Sequence, residues 1–523
     1  MLTQELNKVR NNRENNKRIA KNSLMLYLRM VFMTVINLYT SRIVLQTLGV
    51  EDLGIYNVVG GIIFFLSFLT GSLSAASSRF ITYALGQNNL DNSRKVFGNI
   101  VYIHLLFAAI IILVGETLGL WFVSTQLNIA INRMEAALWV YHFSVLTSAL
   151  TLMYTPYNAM IIAQERMSAF AYITISDAIL KLLIAILLPI IPYDRLIAYA
   201  LLTFCIYAFD FFIYFFYTHQ NFAEVKAKLV LDKVMFKEMF IFAGWTMNGN
   251  LAVFGYTQGL NILLNIFFNT TINAARAIAV QVQHVASTFC YNFQMALNPQ
   301  LTKNYAQKNY YRMHELLIFS SKYSVFLLLF ICIPMILEAP LILSWWLGSY
   351  PNYTVIFIRY TLLITLLTAL ANPIIISVHA TGNLKKFQLI EGSILLMIVP
   401  IAYVLLKYFN TPPESVFVTH ICIEICTQYT RLKIVFPMIK LDIHKYFKLV
   451  IKPILLVCIT APIIPIIIFL CLPQNLLTFI IICTISCINI ALSIFWLGCT
   501  ALERSFIFNK IILFKTKYFH EHN

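Results

Sequence analysis

The sequence predicts an all-α membrane protein with about fourteen transmembrane helices, arranged as two parallel six-helix lobes followed by two extra C-terminal helices. Composition is the first observation: 60% of the 523 residues are apolar, 11% are charged, and the mean hydropathy is +0.77. A soluble domain carries about 25% charged residues. Long apolar runs and an internal repeat are the other two observations.

Apolar runs long enough to cross about 30 Å of hydrocarbon, at about 1.5 Å per residue, recur along the whole chain. Such continuous runs predict helices, because a barrel strand would be shorter and would alternate polar with apolar residues. The approximate centres of the runs are Phe32, Phe68, Ile110, Leu150, Leu182, Phe204, Phe254, Phe289, Leu329, Leu367, Met397, Ile421, Ile463 and Ile485.

The sequence also resembles itself at offsets near 217 and 220 residues. The segment PYNAMIIAQERMSAF from Pro156 matches PIIISVHATGNLKKF from Pro373, and SRFITYALGQNN from Ser78 matches NPQLTKNYAQKN from Asn298. Two matches in chain order indicate a duplication, and an even number of spans in each copy predicts parallel repeats. In membrane proteins this organisation is typical of transporters whose halves enclose a substrate path.

This organisation predicts five regions. They are a basic cytoplasmic tail at 1–21, an N-terminal six-helix lobe at 22–218, a cytoplasmic linker at 219–238, a C-terminal six-helix lobe at 239–440, and two extra helices with a basic tail at 441–523. The charges of the linker are spaced for an amphipathic helix that lies on the membrane surface.

The net charge of +16 does not indicate a nucleic-acid partner, because the basic residues fall on alternate loops. The tail and the even-numbered loops hold most of them, including Arg94, Arg166, Lys303, Lys385 and Arg431. This positive-inside bias places both termini in the cytoplasm. Because the basic tail runs directly into a full-length span, we expect that span to act as its own insertion signal.

Ionisable and polar groups inside spans are costly, so they are candidates for a substrate cavity. The predicted cationic cavity contains Arg29, Arg42, Arg79 and Arg276, together with Asn261 and Gln283 on two polar helices. Amides suit sugar hydroxyls, and the guanidinium fork suits phosphate oxygens. Hydrogen bonding between helices is the alternative for the polar helices, and anchoring at the membrane interface is the alternative for Arg79 and for Arg359.

Three further residues are candidates for coupling to an ion gradient. Asp177 and Lys181 are one helical turn apart, and Asp210 lies in the next span without a partner nearby in the sequence. A lone buried carboxylate tends to be protonated or to hold a cation, which suits H⁺ or Na⁺ exchange. Structural pairing is the alternative for Asp177 and Lys181. Glu338, Glu391 and Glu424 are weaker candidates of the same kind.

Sequence signals of enzymes are missing. The chain has no GxxxxGK[ST] loop, its intramembrane histidines are scattered, and its ten cysteines lack the spacing of zinc or redox sites. We therefore predict no catalytic residue, no metal site, no cofactor and no enzymatic activity.

Several stretches carry a resemblance to a known family: NSLMLYLRMVFMTVINLYTSRIVLQTLGVEDLGIYNVVGG from Asn22, NAARAIAVQVQ from Asn273, ALNPQLTKNYA from Ala296 and ILEAPLILSWWLG from Ile336. Across spans one to twelve the chain resembles the O-antigen and capsule flippase-like proteins, the oligosaccharide-lipid flippases of the polysaccharide-transport branch. That branch belongs to the multidrug/oligosaccharidyl-lipid/polysaccharide (MOP) exporter superfamily.

The resemblance implies a fold like that of multidrug and toxic compound extrusion (MATE) transporters and a location in the bacterial inner membrane. It implies alternating access around a cationic cavity, with arginines such as Arg29, Arg79 and Arg276 lining it. The implied substrate is an undecaprenyl-pyrophosphate-linked oligosaccharide, an O-antigen, capsule or exopolysaccharide repeat unit, which moves from the cytoplasmic to the periplasmic leaflet. Membrane lipid and the polysaccharide polymerase and chain-length machinery are the implied partners.

Two other function classes stay open at this stage. A small-molecule or drug exporter of the same superfamily would favour acidic cavity residues, and the arginines speak against it. A membrane-embedded glycan polymerase or acyltransferase would need histidines or carboxylates clustered at one membrane face.

Overall fold

The structure is a computed structural model that describes residues 2–64, 67–126, 129–226, 232–268, 270–473, 475–505 and 508. These residues are helical almost throughout and include no strand. The helices are α1 (Leu2–Phe64), α2 (Ser67–Gly86), α3 (Leu90–Val114), α4 (Leu120–Gln126), α5 (Met134–Ala163), α6 (Met167–Leu187), α7 (Arg195–Asn221), α8 (Lys233–Phe267), α9 (Thr270–Ala306), α10 (Tyr310–Leu347), α11 (Thr354–Thr368), α12 (Ala371–Thr381), α13 (Lys385–Leu396), α14 (Ile398–Tyr408), α15 (Ser415–Ile439), α16 (Ile443–Tyr446), α17 (Lys452–Thr460), α18 (Ile463–Cys471) and α19 (Leu476–Ser493).

Ten helical segments of the described chain are long and apolar enough to cross a membrane: Arg18–Gly49, Leu90–Thr125, Ile131–Ala163, Met167–Ile190, Arg195–Asn221, Tyr310–Leu347, Thr354–Thr381, Lys385–Tyr408, Ile443–Cys471 and Leu476–Gly498. Four further helices, α2, α8, α9 and α15, are more polar than these ten segments and have between 20 and 37 residues. Each predicted centre lies in one of these fourteen segments, so the predicted all-α class is confirmed.

The helix expected across the linker is not continuous. α7 ends at Asn221, a single 3₁₀ turn follows at Ala223–Val225, and α8 begins at Lys233. Residues 227–231 of the predicted linker lie outside the described residues, as does most of the basic C-terminal tail. Some of the charges whose spacing indicated a surface helix therefore lie at the end of α7 and at the start of α8.

The chain forms two compact units. Unit 1 comprises residues 1–251, 295–309 and 379–388, and unit 2 comprises residues 252–294, 310–378 and 389–523. In unit 1, α5 packs against α1, α2, α3 and α7, and its residues Ala137, Val140 and Tyr141 are at most 1% exposed. Apolar burial around this central helix therefore forms the core of unit 1.

In unit 2, α10 packs against α11, α17 and α19, and α15 packs against α11 and α14. The two extra C-terminal spans, formed by α17 to α19, are therefore attached to α10. A buried charge contributes to this attachment: Lys322 of α10 is 1% exposed, and its Nζ lies 2.7 Å from the Glu503 carboxylate beyond the last span. Breaking such a pair would leave Lys322 buried without a counter-charge.

At one end of unit 1 the odd-numbered loops meet. Arg133, which precedes the fourth span, forms ion pairs with Asp52 at 2.5 Å and with Asp194. Asp194 also caps α7, because its side chain accepts hydrogen bonds from the backbone N–H groups of Leu196 and Ile197. Three loops that the charge pattern assigns to one side of the membrane thus lie together.

At the opposite end of unit 1 the even-numbered loops meet. Arg94 Nε donates to the Ala223 carbonyl at 3.1 Å, and Gln164 Nε2 donates to Glu224 Oε1 at 3.0 Å. We call this the even-loop end. The alternation of loops is the one that the basic residues predict, and the cytoplasmic orientation of the even-loop end stays a prediction.

The internal repeat has a structural counterpart in the corners between helices. Glu165 has φ 59° and Gly382, 217 residues later, has φ 78°. Asn88 has φ 55° and Lys308, 220 residues later, has φ 57°. Left-handed residues are uncommon outside glycine, so their recurrence at the two predicted offsets supports the duplication. The same offset of 220 relates the ends of α2 and α9 and the starts of α3 and α10.

The corner at Gly382 yields a stability prediction. A side chain there meets the strain of a left-handed backbone, about 1 to 2 kcal/mol, and its Cβ would lie 2.7 Å from Arg79 Nη2. We expect Gly382→Ala to lower the melting temperature of the detergent-solubilised protein, measured by intrinsic fluorescence. Gly348→Ala is the matched control, because Gly348 has φ +72° with nothing within 4 Å of its Cβ. Equal losses for the two variants would contradict the close approach of Arg79.

Candidate functional site

The predicted cavity residue Arg276 is buried in α9. It is 5% exposed, and its guanidinium donates to Asn261 Oδ1 and, at 3.2 Å, to the Thr257 carbonyl, both on α8. Asn261 in turn donates to Gln258 Oε1 at 3.1 Å. The Nε atom of Arg276 is buried with no hydrogen-bond partner in the described chain. The structure thus joins two predicted residues, Arg276 and Asn261, through neutral oxygen acceptors.

Arg29 is half-buried on α1. Its Nε donates to Thr174 Oγ1 at 2.8 Å, and its guanidinium lies 4.5 Å from the centre of the Phe170 ring. Both partners belong to α6, so Arg29 joins the first and fifth spans. A stacked arginine keeps its planar fork oriented, which suits the recognition of an anion.

Arg79 supports a helix end. Its Nε donates to the His379 carbonyl at 3.1 Å and its Nη2 to the Ala380 carbonyl at 3.4 Å, at the C-terminus of α12. Three aromatic rings surround the guanidinium, those of Phe80, Tyr83 and Phe242 at 4.3, 4.9 and 5.6 Å. A cation at a helix C-terminus stabilises the exposed carbonyls.

The two remaining cavity candidates make no hydrogen bond in the described chain. Arg42 on α1 is exposed and Gln283 on α9 is half-buried. Arg29, Arg42 and Arg79 lie in unit 1, whereas Arg276, Asn261 and Gln283 lie in unit 2. Their convergence on a single cavity therefore stays a prediction.

The three ion-coupling candidates come together in unit 1. Lys181 Nζ lies 2.8 Å from Asp177 Oδ1 and 3.5 Å from the Tyr207 hydroxyl. Asp210, 5% exposed, lies near Asp177 and Lys181, and its Oδ1 has no hydrogen-bond partner in the described chain. The cluster thus combines two carboxylates with one lysine. The sequence did not indicate these neighbours for Asp210.

A second charged cluster lies in unit 2. Arg431 Nε is 2.6 Å from Glu391 Oε1, and its Nη1 is 2.5 Å from Glu424 Oε1. Gln428 donates to the same Glu424 oxygen at 3.2 Å. The side chains of Arg431, Glu391 and Glu424 are at most 9% exposed. This cluster, like the first, has two carboxylates and one cation.

Sequence analysis assigned Arg431 to a cytoplasmic loop, and that assignment is wrong. Arg431 lies inside α15 and is 4% exposed. The residue was counted with the basic residues that follow it, although it lies seven positions after Glu424. Positions seven apart share one face of a helix, and that spacing is the signal that could have identified the pair.

Sequence analysis also missed the cluster around Glu165, between α5 and α6. The Glu165 side chain is fully buried, and its carboxylate accepts from Gln300 Nε2 at 2.7 Å, from Lys303 Nζ at 2.9 Å and from Arg18 Nε at 2.9 Å. Asn22 Nδ2 donates to the Glu165 backbone carbonyl at 3.1 Å. All these residues belong to unit 1. The repeat alignment contained Glu165 but gave no sign of its charge partners.

Solved structures resemble this chain over most of its length. A multidrug resistance MATE family transporter of the MOP superfamily, in an outward-facing conformation, matches with a TM-score of 0.69 at 13% identity, over 82% of this chain and 96% of that chain. A MATE mutant matches with a TM-score of 0.72 at 13% identity and the same coverage. This chain has the MATE-type fold.

A third structure with the MATE-type fold is a MOP superfamily transporter from Pyrococcus furiosus Vc1. It matches with a TM-score of 0.69 at 14% identity, over 82% of this chain and 96% of that chain, and its binding pocket is described as having reverse polarity that suggests a different function. No protein-family model and no curated protein matches the sequence. The MATE-type fold is therefore established by structure alone.

The unit 2 cluster yields a stability prediction. Arg431→Met leaves Glu391 and Glu424 buried without their cation, and breaking such a pair costs about 3 to 5 kcal/mol. We expect a clear fall in the melting temperature of the solubilised protein. Adding Glu391→Gln and Glu424→Gln to Arg431→Met removes the uncompensated charges, so the triple variant should recover most of the loss. A triple variant as unstable as Arg431→Met would contradict the electrostatic explanation.

Proposed function

We propose that this protein is a transporter that moves an undecaprenyl-pyrophosphate-linked oligosaccharide from the cytoplasmic to the periplasmic leaflet of a bacterial inner membrane. The carried unit would be an O-antigen, capsule or exopolysaccharide repeat. The MATE-type fold and the two repeats support alternating access as the mechanism. Both termini would lie in the cytoplasm, in line with the basic residues of the even-numbered loops.

The environment of Arg276 is the observation that best supports an anionic substrate. Its recorded partners, Asn261 Oδ1 and the Thr257 carbonyl, are neutral, and its side chain is almost completely buried. Removing a charge from water is unfavourable unless an opposite charge replaces the lost hydration. A diphosphate group would supply that charge and would accept hydrogen bonds from the guanidinium fork in a bidentate geometry.

The neighbouring polar residues suit the sugar part of such a substrate. Asn261 orients Arg276, and Gln283 on the same helix as Arg276 offers an amide that can pair with hydroxyl groups. Arg29 and the exposed Arg42 are further proposed contacts for the phosphates. Arg79 is proposed to act indirectly, since its N–H groups already hold the C-terminus of α12.

We assign the ion coupling to Asp177, Lys181 and Asp210. Lys181 pairs with Asp177, and Asp210 lies near both, so two acids face one lysine and the second acid offers a position for a proton or a cation. Binding and release of that ion would bias unit 1 between two arrangements. The Glu391, Glu424 and Arg431 cluster has the same charge ratio and is the comparison site for this assignment.

The proposed partners are the lipid-linked oligosaccharide, membrane lipid and the polysaccharide polymerase and chain-length machinery, and no enzymatic activity is proposed. A drug exporter with the same fold is the competing class, because one of the similar structures is a multidrug resistance transporter. The sign of the charge on the transported molecule separates the two classes.

The first test measures movement of a fluorescent polyprenyl-pyrophosphate oligosaccharide across proteoliposomes under an imposed H⁺ or Na⁺ gradient. We expect Arg276→Gln to reduce the rate about tenfold or more, since hydrogen bonds to charged groups contribute about 1.5 to 3 kcal/mol. Arg359→Gln is the matched control, because Arg359 is also an intramembrane arginine of unit 2 that donates to a carbonyl, that of Ile336 at 3.0 Å. It should retain the wild-type rate.

Two results would reject this function. If Arg359→Gln and Arg276→Gln lose the same activity, Arg276 has no specific role in substrate binding. If wild-type protein moves an organic cation but not the lipid-linked sugar, the exporter class is correct and the anion site is wrong.

The coupling assignment predicts a separate effect of Asp210→Asn. The variant cannot release a proton from this position, so we expect transport that no longer responds to the imposed gradient while downhill movement continues. The measurement compares initial rates with and without the gradient. Glu391→Gln serves as the comparison variant and should keep the gradient response. The opposite result, loss of the response only in Glu391→Gln, would move the coupling site to unit 2.

A further inference from the structure

The four segments that reveal the duplication also contact one another. They are residues 78–89 and 156–170 in the first copy and residues 298–309 and 373–387 in the second copy. Glu165 of the first copy accepts hydrogen bonds from Gln300 and Lys303 of the second. Arg79 of the first copy donates to the carbonyls of His379 and Ala380 of the second. In each of these contacts, the turn between two helices in one copy is therefore bound by residues of the other copy.

A third contact lies between these two. A Cβ added at Gly86 would be 2.8 Å from the Cβ of Ala306, the residue that occupies the same position in the second copy. The ends of α2 and α9 therefore meet closely, with only the methyl group of Ala306 between the two backbones. All three contacts lie in unit 1, and Glu165 adjoins Gln164, which belongs to the even-loop end.

The two corner contacts differ in chemistry. Glu165 is a buried carboxylate with two cations and one amide around it, whereas the equivalent residue Gly382 has no side chain and touches Arg79. Arg18, with a side chain 48% exposed, can be reached from solvent, and Lys303 is 19% exposed. The Glu165 carboxylate thus occupies an anion position formed by Arg18, Lys303 and Gln300.

We infer that Glu165 is a latch that keeps the even-loop end closed, and that a diphosphate group releases it by taking over Arg18 and Lys303. A path that opens at this end requires the first-copy corner to separate from α9, and that separation breaks the charge pair of Glu165 with Lys303 and its hydrogen bond from Gln300, while Arg18 on α1 remains beside Glu165. A diphosphate carries more negative charge and more acceptor oxygens than a carboxylate, so it competes for the same two cations. The inference rests on the proposed function, since it assigns the substrate headgroup a role in opening.

Hydrogen–deuterium exchange of the full-length protein in lipid nanodiscs tests the latch without a transport assay. We expect Glu165→Gln to speed exchange in the peptide covering residues 295–309 about tenfold or more, as expected for lost charge-assisted hydrogen bonds. Peptides from α10 and α11, which contain the fully buried Phe326 and Phe357, serve as the internal reference and should not change.

The matched control is Glu224→Gln. Glu224 is the partly buried carboxylate that pairs with Gln164, the residue next to Glu165, and its recorded partner there is a neutral amide. This variant should exchange as the wild type does, and the conservative variant Glu165→Asp should exchange more slowly than Glu165→Gln. If Glu165→Gln speeds exchange in the reference peptides too, Arg18→Gln takes its place, because it removes one partly exposed cation. Unchanged exchange at residues 295–309 in the variant that is tested would overturn the latch.

The release step is tested on the wild type with two probes. One is undecaprenyl pyrophosphate incorporated in the nanodisc, and the other is soluble inorganic pyrophosphate. Faster exchange at residues 295–309 with the lipid alone supports release by a membrane-borne headgroup, and faster exchange with both probes supports release by diphosphate from either source. Unchanged exchange with both overturns the release step. Faster exchange in a protein that moves no lipid-linked sugar would leave the latch standing and reject the proposed function.

Discussion

Compensation of buried charge is the constraint on which the rest of this structure depends. Only 11% of the residues are charged, and several of those inside unit 1 and unit 2 lie in small groups: Asp177 with Lys181, Glu391 and Glu424 with Arg431, and Lys322 with Glu503. Arg276, whose partners are neutral oxygen atoms, is the exception on which the proposed anion site depends. A hydrocarbon environment gives such groups no water to replace a missing partner. These ionic contacts join residues that are far apart in the sequence, and they add to the apolar packing that forms the core of unit 1.

The fold class was predictable because its signals are local and repeated. Each long apolar run indicates a helical segment by itself: thirteen of the fourteen predicted centres lie in helices, and Met397 lies at the break between α13 and α14. The duplication was visible because matched helix corners need matched residues, and the corners at Asn88 and Lys308 have the same left-handed backbone. Neither inference required knowledge of which helices are neighbours.

The charge clusters were less predictable, since their partners are far apart in sequence. Asp210 looked isolated until the structure placed it beside Asp177, and Glu165 lies 138 residues before Lys303. Arg431 was assigned to a loop because basic residues follow it closely. The positive-inside rule counts every cation near the end of a span as part of the loop. The prediction of a continuous linker helix was wrong for a related reason. The charge periodicity that suggested it comes partly from residues at the end of α7 and the start of α8. Composition and spacing identify elements, but they do not identify contacts between elements.

The contact between Gly86 and Ala306 has a consequence for the origin of the chain. These residues occupy equivalent positions in the two copies, and only a hydrogen atom and a methyl group separate the two backbones. If each copy were a separate chain, two such chains would form a homodimer, and this contact would lie on its two-fold axis, where a residue meets its own counterpart. One mutation would then alter both sides of the contact at once. Fusion into one gene removes that restriction, so each side can carry a different side chain, as glycine and alanine now do.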